Sequence, residues 1–382
     1  MKNIPKETNS RPFLPQLNII RALAILSVIT VHSTSSAVAQ LDKHSALYPV
    51  YNFINIFFRV GTPTFIFLSA FVLFYSYMNR PLSSSMLKRF YKNRFLYILI
   101  PYVLFSLLYF IPLALFIYDF QTIWDALQNF FLKLATGKAY AHLYFVFINI
   151  QFYLMFPLLL WMFKSKPKLL IHSLWIGFLI QWAFYLLNHT YFEFQYKGSI
   201  SFSYFSYYFA GAFMGIYYQK VLRWLRGWRK YVLWAAWLSA ALFHVYVYQT
   251  TRVDGKIWDM AFYEGAWNVH TILTAFVLFH LGFLIYDKTA PKLLQVLSRI
   301  GAYSFGIYLL HPFILLVYRR LITVGDPVGF HLYTAAGWFL AFGISWASVT
   351  IAFRYIPLAW LVFGSNPDSS RNSSTHRTSR RA

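Results

Sequence analysis

Apolar runs of about twenty residues recur along almost the whole chain, and this constrains the fold more than any other feature of the sequence. A run of that length, wound as a helix, crosses the hydrocarbon core of a bilayer. Lipid offers no hydrogen bonds to an open backbone, so spanning segments must pair their own N–H and C=O groups. The expected fold is therefore an all-α integral membrane protein of about ten transmembrane helices. Breaker residues and hydropathy place the spans at 14–38, 55–78, 95–118, 142–163, 169–188, 201–219, 231–249, 268–286, 301–320 and 332–362. The last contains Arg354 and Pro357 and is expected to break or turn into the interface there. Composition agrees: 12% of residues are charged, about half the share in a soluble domain. The expected organisation is an N-terminal segment over 1–12, a transmembrane domain over 13–363 and a disordered, Ser- and Arg-rich tail over 364–382.

A net charge of +23 would suit a nucleic-acid binder, but the positions of the cations argue otherwise. Lys and Arg concentrate in alternate loops: Lys2, Lys6 and Arg11; Arg80 to Arg94; Lys164 to Lys168; Lys220 to Lys230; Lys288 to Arg299; and the tail. These hold 23 basic residues, the opposite loops hold eight, and Arg21, Arg59 and Arg354 lie in or at the edge of spans. Eight of the eleven acids fall on the opposite side. The positive-inside rule then puts both termini in the cytoplasm of a multi-pass plasma-membrane protein. The basic loops read as topology signals facing anionic lipid rather than a nucleic-acid surface. The segment from Phe13 lacks a small-residue cleavage pattern and runs into a full span, so it reads as an anchor rather than a cleaved signal.

The chain has no cysteine, which excludes disulfides and thiolate metal sites. It also has no P-loop run, no GxSxG elbow and no HExxH or Asp-rich metal pattern. No metal and no permanently bound cofactor are expected.

The first span, LNIIRALAILSVITVHS, carries a cation at Arg21 and an imidazole at His32. A charge inside a span costs about 2.5–3.5 kcal/mol on insertion scales and usually has a function. Eleven residues at about 100° each return to within about 20° of the start and rise about 16 Å. Arg21 and His32 therefore share one stripe of the helix, one in its inner half and one in its outer half. Arg21 suits holding an anionic or thioester-bearing group. His32 suits taking a proton from a hydroxyl, because imidazole titrates near working pH. The plainer alternatives are a snorkelling Arg and an interhelical hydrogen bond.

The spacing of Arg, ten residues and His within NIIRALAILSVITVH resembles the signature of the acyltransferase-3 family of multi-spanning membrane acyltransferases. Further segments resemble that family in order: GTPTFIFLSAFVLFY, KRFYKNRFLYILIPY, AHLYFVFINIQFYLMFPLL and SFGIYLLHPFILL. The resemblance covers roughly residues 15–320. Tyr144 stands where Trp is usual and Ala70 where Gly is usual. The resemblance implies a cytoplasmic acyl-CoA donor, acetyl-CoA or a similar short acyl-CoA, and a hydroxyl of a cell-envelope glycan or glycolipid as acceptor. There is no appended extracytoplasmic hydrolase-type domain, so the acceptor is expected to meet the membrane domain directly.

Under that reading Arg89 and Arg94, where the third span meets the cytoplasm, grip donor phosphates as guanidinium forks; the alternative is ordinary topology anchors. Arg59, just before the Gly61–Thr62–Pro63 break, and His142, at the outer start of the fourth span, are candidate acceptor contacts; the alternatives are a helix entry and an aromatic belt of Tyr140, Tyr144 and Phe145. His311 precedes Pro312, which frees the Tyr308 carbonyl, so a substrate contact competes with a structural role. His244, His270 and His280 read as hydrogen-bonded core residues. The rival function is a non-enzymatic exporter or flippase of a polysaccharide, which needs stacking aromatics more than a buried cation and base.

The charge asymmetry makes a direct prediction. Topology reporters fused after Ser84 and after Arg226 report cytoplasm, and one near Thr250 reports the outside. A cytoplasmic signal at Thr250 overturns the span assignment.

Overall fold

The computed structural model describes residues 11–366. Residues 1–10 and the tail from 367 on, where disorder is expected from composition, lie outside the described residues. Among these there is no strand. Sixteen α-helices follow one another: α1 Gln16–Gln40, α2 Tyr48–Phe57, α3 Gly61–Tyr77, α4 Ser84–Arg94, α5 Ile100–Phe116, α6 Ile123–Thr136, α7 Tyr144–Ser165, α8 Pro167–Ile171, α9 Ser173–Leu187, α10 Phe205–Trp224, α11 Arg229–Val253, α12 Met260–Lys288, α13 Pro291–Ala302, α14 Ser304–Leu321, α15 Pro327–Tyr355 and α16 Ala359–Phe363. A π-helical turn, Phe95–Leu99, joins α4 to α5.

Among the described residues, seven helical segments are long and apolar enough to cross a membrane, or eight if α13 and α14 count as one bent span. The sequence leads one to expect ten, and the difference has a physical reason. α9 has 15 residues. α10 carries several tyrosines and is covered by protein over nearly all of Phe205–Gly215, so it needs no lipid-facing apolar surface. Both are nonetheless tied into the bundle by buried hydrogen bonds. Gln181 of α9 donates to Asn268 of α12 at 2.7 Å and accepts from Ser206 of α10 at 2.5 Å. Tyr207 also donates to Asn268.

The expected breaks are present. The second span divides into α2 and α3 at the Gly-Thr-Pro segment. The last ends at Tyr355, and a short helix resumes after Pro357. The ninth differs from expectation: the stretch before residue 301, read as loop, is helix α13, and it meets α14 at 72°. α6, read as loop, is a helix opened by a capping box in which Thr122 and Asp125 satisfy each other's backbone N–H groups.

α1 packs against α2, α3, α12, α13, α14 and α15. Between helices in lipid there is little hydrophobic drive, so close backbone approach and hydrogen bonds carry association. Glycine permits that approach at three seams. A Cβ on Gly61 would lie 2.5 Å from the Val28 side chain, and one on Gly301 1.7 Å from the Asn18 carbonyl. On α10, Gly211 and Gly215 form a Gly-x-x-x-Gly seam against α3, where a Cβ on Gly211 would lie 2.2 Å from the Phe67 carbonyl and 2.8 Å from the Ala70 Cβ. Ala70, where the resemblance leads one to expect Gly, thus faces a residue with no side chain.

Loops that the charge pattern groups together do meet. On one face Arg11 donates to the Gly215 carbonyl at 3.0 Å, and Lys164 donates to the Arg80 carbonyl. On the other, Arg252 donates to Asn52 at 2.6 Å, and Tyr51 pairs with His331 at 3.0 Å. Arg21 and Ser365 line one cavity.

The α3–α10 seam is testable. Gly211→Ala drives a methyl into backbone and should cost about 1–3 kcal/mol, read as a lower Tm of purified protein. Gly343→Ala, with nothing within 4 Å of the new methyl, should stay within about 0.5 kcal/mol.

Candidate active site

Three imidazoles from three separate stretches of chain meet. His32 comes from α1, His142 from the turn before α7 and His311 from α14. Ring centroids lie 5.2 Å apart for His32–His311, 5.9 Å for His142–His311 and 6.4 Å for His32–His142. His142 and His311 are fully buried, whereas His32 is half-buried. His311 Nδ1 lies 3.0 Å from the Ile307 carbonyl. A carbonyl only accepts, so the proton is on Nδ1 and Nε2 keeps its lone pair. That Nε2, and both ring nitrogens of His142, are buried without a hydrogen-bond partner. Buried imidazole nitrogens are usually paired, so these three point to a group that the protein itself does not supply. The His311 ring thus bonds the carbonyl one residue before the one that Pro312 frees.

Tyrosines fix this cluster. Tyr308 donates to the His142 carbonyl, and its ring lies 5.2 Å from that of His142 and 5.9 Å from that of His311. Tyr109 packs edge-on to His142 at 5.1 Å, stacks on Tyr140 at 4.3 Å and donates to the Leu309 carbonyl at 2.8 Å. Arg319 is one of the eight basic residues counted on the opposite side. Its guanidinium in fact donates to the carbonyls of His32 at 2.8 Å and Ser33 at 3.4 Å, pinning α14 to α1 beside the imidazole.

Toward the opposite face lies a cavity of about 440 Å³, walled by α1, α3, α4, α7 and the α13–α14 bend. Arg21 and Arg94 both line it, with Asn93, Asn149, Tyr153 and Ser304. The Arg94 guanidinium lies 5.0 Å from the Phe90 ring centroid and 4.9 Å from that of Tyr153. These cation–π contacts hold the fork in place. Arg21 donates to Asn18 at 2.9 Å. Neither has a carboxylate partner; Lys197–Glu264 is the only ion pair among the described residues. Tyr308 also lines the cavity. One tyrosine therefore touches both the arginine-lined cavity and the histidine cluster, while none of the three histidines lines the cavity itself.

The remaining candidate residues fall elsewhere. Arg89 is exposed on α4 and does not line the cavity. Arg59 donates to Asn55 at 3.0 Å and lies over the Tyr248 ring at 5.3 Å, and Asn55 in turn donates to the Val31 carbonyl next to His32. His244 and His270 pair through their Nδ1 atoms at 3.0 Å, each with a buried and unpartnered Nε2, and Trp234 donates to His280 at 3.3 Å. Among the described residues no three His, Asp or Glu side chains converge to hold a metal ion. Sequence reasoning missed Tyr308 and Arg319. Tyr308 was in reach, since a residue three before His311 on a helix shares its face; Arg319 had no such signal.

This geometry can be set beside known proteins. The family model described as an acyltransferase domain, that of the acyltransferase-3 family, matches residues 14–352. The chain belongs to the acyltransferase-3 family. It is a multi-pass protein of the cell membrane. Relatives carrying the name "Probable poly-beta-1,6-N-acetyl-D-glucosamine export protein" include one from Staphylococcus aureus strain MSSA476, 30% identical over 67% of this chain and 69% of the relative. Another, from Staphylococcus epidermidis, is 27% identical over 78% of this chain and 81% of the relative. No solved structure matches.

Proposed function

We propose that this protein transfers an acyl group from cytoplasmic acyl-CoA, acetyl-CoA or a similar short acyl-CoA, to a hydroxyl of an extracytoplasmic glycan. The chain then crosses the membrane ten times, α9 and α10 included, with both termini in the cytoplasm. The 23-to-8 charge asymmetry and the family resemblance support that orientation. The observation that carries the reading is Tyr308, which lines the cavity holding Arg21 and Arg94 and also packs on His142 and His311.

In this reading the two guanidiniums hold the donor's phosphates from the cytoplasmic side. The thioester end lies toward Tyr308. The acceptor hydroxyl arrives from outside and attacks the acyl carbon. Its proton passes to His32 as the C–O bond forms, and CoA leaves as thiolate when the tetrahedral intermediate collapses. A positioned base contributes about 10²–10⁴-fold. His142 and His311, each with an unpartnered nitrogen, are placed to orient the acceptor or to stabilise the intermediate's oxygen. Tyr308 must move aside or lie along the acyl group's path, because it separates the cavity from the imidazoles. The names of the relatives point to a β-1,6-linked N-acetylglucosamine polymer as the acceptor class; such a polymer offers free hydroxyls.

The same names favour a second reading, a glycan exporter. Arg21 and Arg94 in one cavity, backed by a histidine cluster, weigh toward the enzyme, since a neutral glycan passing through has no use for either. The deciding measurement is the mass of envelope glycans from cells with and without the gene. A gain of one acyl group per modified sugar supports transfer, whereas glycan retained inside the cell with no mass change supports export.

Two predictions follow from the placement of side chains. Arg94→Ala should weaken CoA binding by purified protein at least tenfold, as loss of a charge-assisted pair of about 1.5–3 kcal/mol implies, while Arg89→Ala leaves it within twofold. Equal loss in both variants would remove the cavity from the donor's path. His32→Gln should lower acylation by about 10²-fold or more while the protein still inserts and binds CoA, because an amide hydrogen-bonds but accepts no proton. Near-normal acylation by a well-expressed His32→Gln protein returns His32 to an interhelical hydrogen bond.

A further inference from the structure

A second hollow lies on the outside of the bundle, apart from the arginine-lined cavity. It is a groove of about 580 Å³ between α8, α10, α11 and α12, within the roughly 300–1,000 Å³ of ligand sites. Phe213, Tyr217, Trp224, Leu233 and Phe276 line it, and Lys220 is its one charged wall residue. The groove lies toward the face that holds the arginine-lined cavity, because Arg11 bonds to Gly215, little more than one turn before Lys220.

The chain that continues from its α10 wall is strongly one-signed. The stretch from 220 to 230 carries Lys220, Arg223, Arg226, Arg229 and Lys230 and no acid. None of them is in an ion pair among the described residues. Several lie instead over aromatic rings: Lys220 over half-buried Tyr217 at 5.4 Å, Arg229 over exposed Trp224 at 5.5 Å and Lys230 over exposed Tyr231 at 5.0 Å. Trp and Tyr interleaved with cations at a helix end mark headgroup depth. An apolar hollow with a lysine on its wall at that depth matches a molecule with one hydrocarbon chain and one anionic head.

We propose that this groove is a binding site for a single anionic phospholipid of the same leaflet, one acyl chain lying along Phe213, Leu233 and Phe276 and the phosphate at Lys220. Charge complementarity selects the occupant. A neutral lipid fills the hollow equally well but leaves Lys220 facing no anion, and a cation near a membrane surface contributes about 1 kcal/mol toward anionic lipid. The proposal is independent of the acyl-transfer reading, since no groove residue lines the arginine-lined cavity or belongs to the histidine cluster.

The test uses the purified full chain in detergent with equimolar phosphatidylglycerol and phosphatidylcholine, and counts retained lipids by native mass spectrometry. One phosphatidylglycerol should be held in preference. Lys220→Ala should lower its retention about fivefold, the equivalent of about 1 kcal/mol for one cation. Leu233→Trp, which fills the groove, should remove the bound lipid while thermal unfolding shows an intact fold. Lys292→Ala, exposed at the start of α13 and outside the groove, should leave retention unchanged. Equal retention of the two lipids, full retention in Leu233→Trp, or a loss in Lys292→Ala matching that in Lys220→Ala overturns the site. A wild-type dimer that Leu233→Trp disperses also overturns it, and assigns the groove to a second copy of the chain.

Discussion

The close seating of α1 among six neighbouring helices is the contact on which the rest of the structure depends. Lipid supplies no hydrophobic drive between helices, so the bundle is held where backbones come near and polar groups find partners. Gly61 and Gly301 let α3 and α13 reach the backbone and side chains of α1. Asn55 donates to the Val31 carbonyl at 3.0 Å, Trp338 donates to Thr30 at 3.0 Å, and Arg319 to the His32 carbonyl at 2.8 Å. Each bond is made to the outer half of α1 by a different helix, and together they fix the rotation of the helix about its own axis. That rotation decides where Arg21 and His32 point.

The bend between α13 and α14 works with this. Had the chain continued straight from Pro291 to Leu321, α13 would occupy the space along α14 instead of turning across the end of the bundle. The 72° turn lays Gly301 against α1 and leaves Gly301–Phe305 as one wall of the arginine-lined cavity. The same turn starts α14 at Ser304, which sets Tyr308 at the cavity and His311, one turn on, at the imidazoles. Arg94 is brought to the opposite wall by the π-turn that follows it and by its two aromatic neighbours.

Much of this was legible in the sequence for identifiable reasons. Apolar run length gave the spans, because the bilayer fixes the length a helix must have. Breaker residues gave the α2–α3 break and the one after Tyr355, because Pro and Gly act locally. Loop charge gave which segments share a face, and the contacts Arg11–Gly215 and Lys164–Arg80 agree with that grouping. Arg21 and His32 stood out because a cation and an imidazole in an apolar helix are conspicuous. Length and apolarity pick out seven or eight spans where the sequence leads one to expect ten, because α9 is short and α10 is tyrosine-rich and covered by protein.

The sequence by itself determined the all-helical membrane fold, the grouping of loops by face, and the helix that carries Arg21 and His32, since each follows from local composition and helical period. Only the tertiary structure decided that His142 and His311 join His32, that Arg94 and not Arg89 shares the cavity with Arg21, and that Tyr308 stands between the two groups. Residues 32, 142 and 311 are separated by more than a hundred positions at each step, and Arg319 lies 287 from the carbonyl it holds. No period or local motif encodes such distances. They are set by which helices pack together, and that is decided by where glycine, small side chains and buried polar groups allow two backbones to meet.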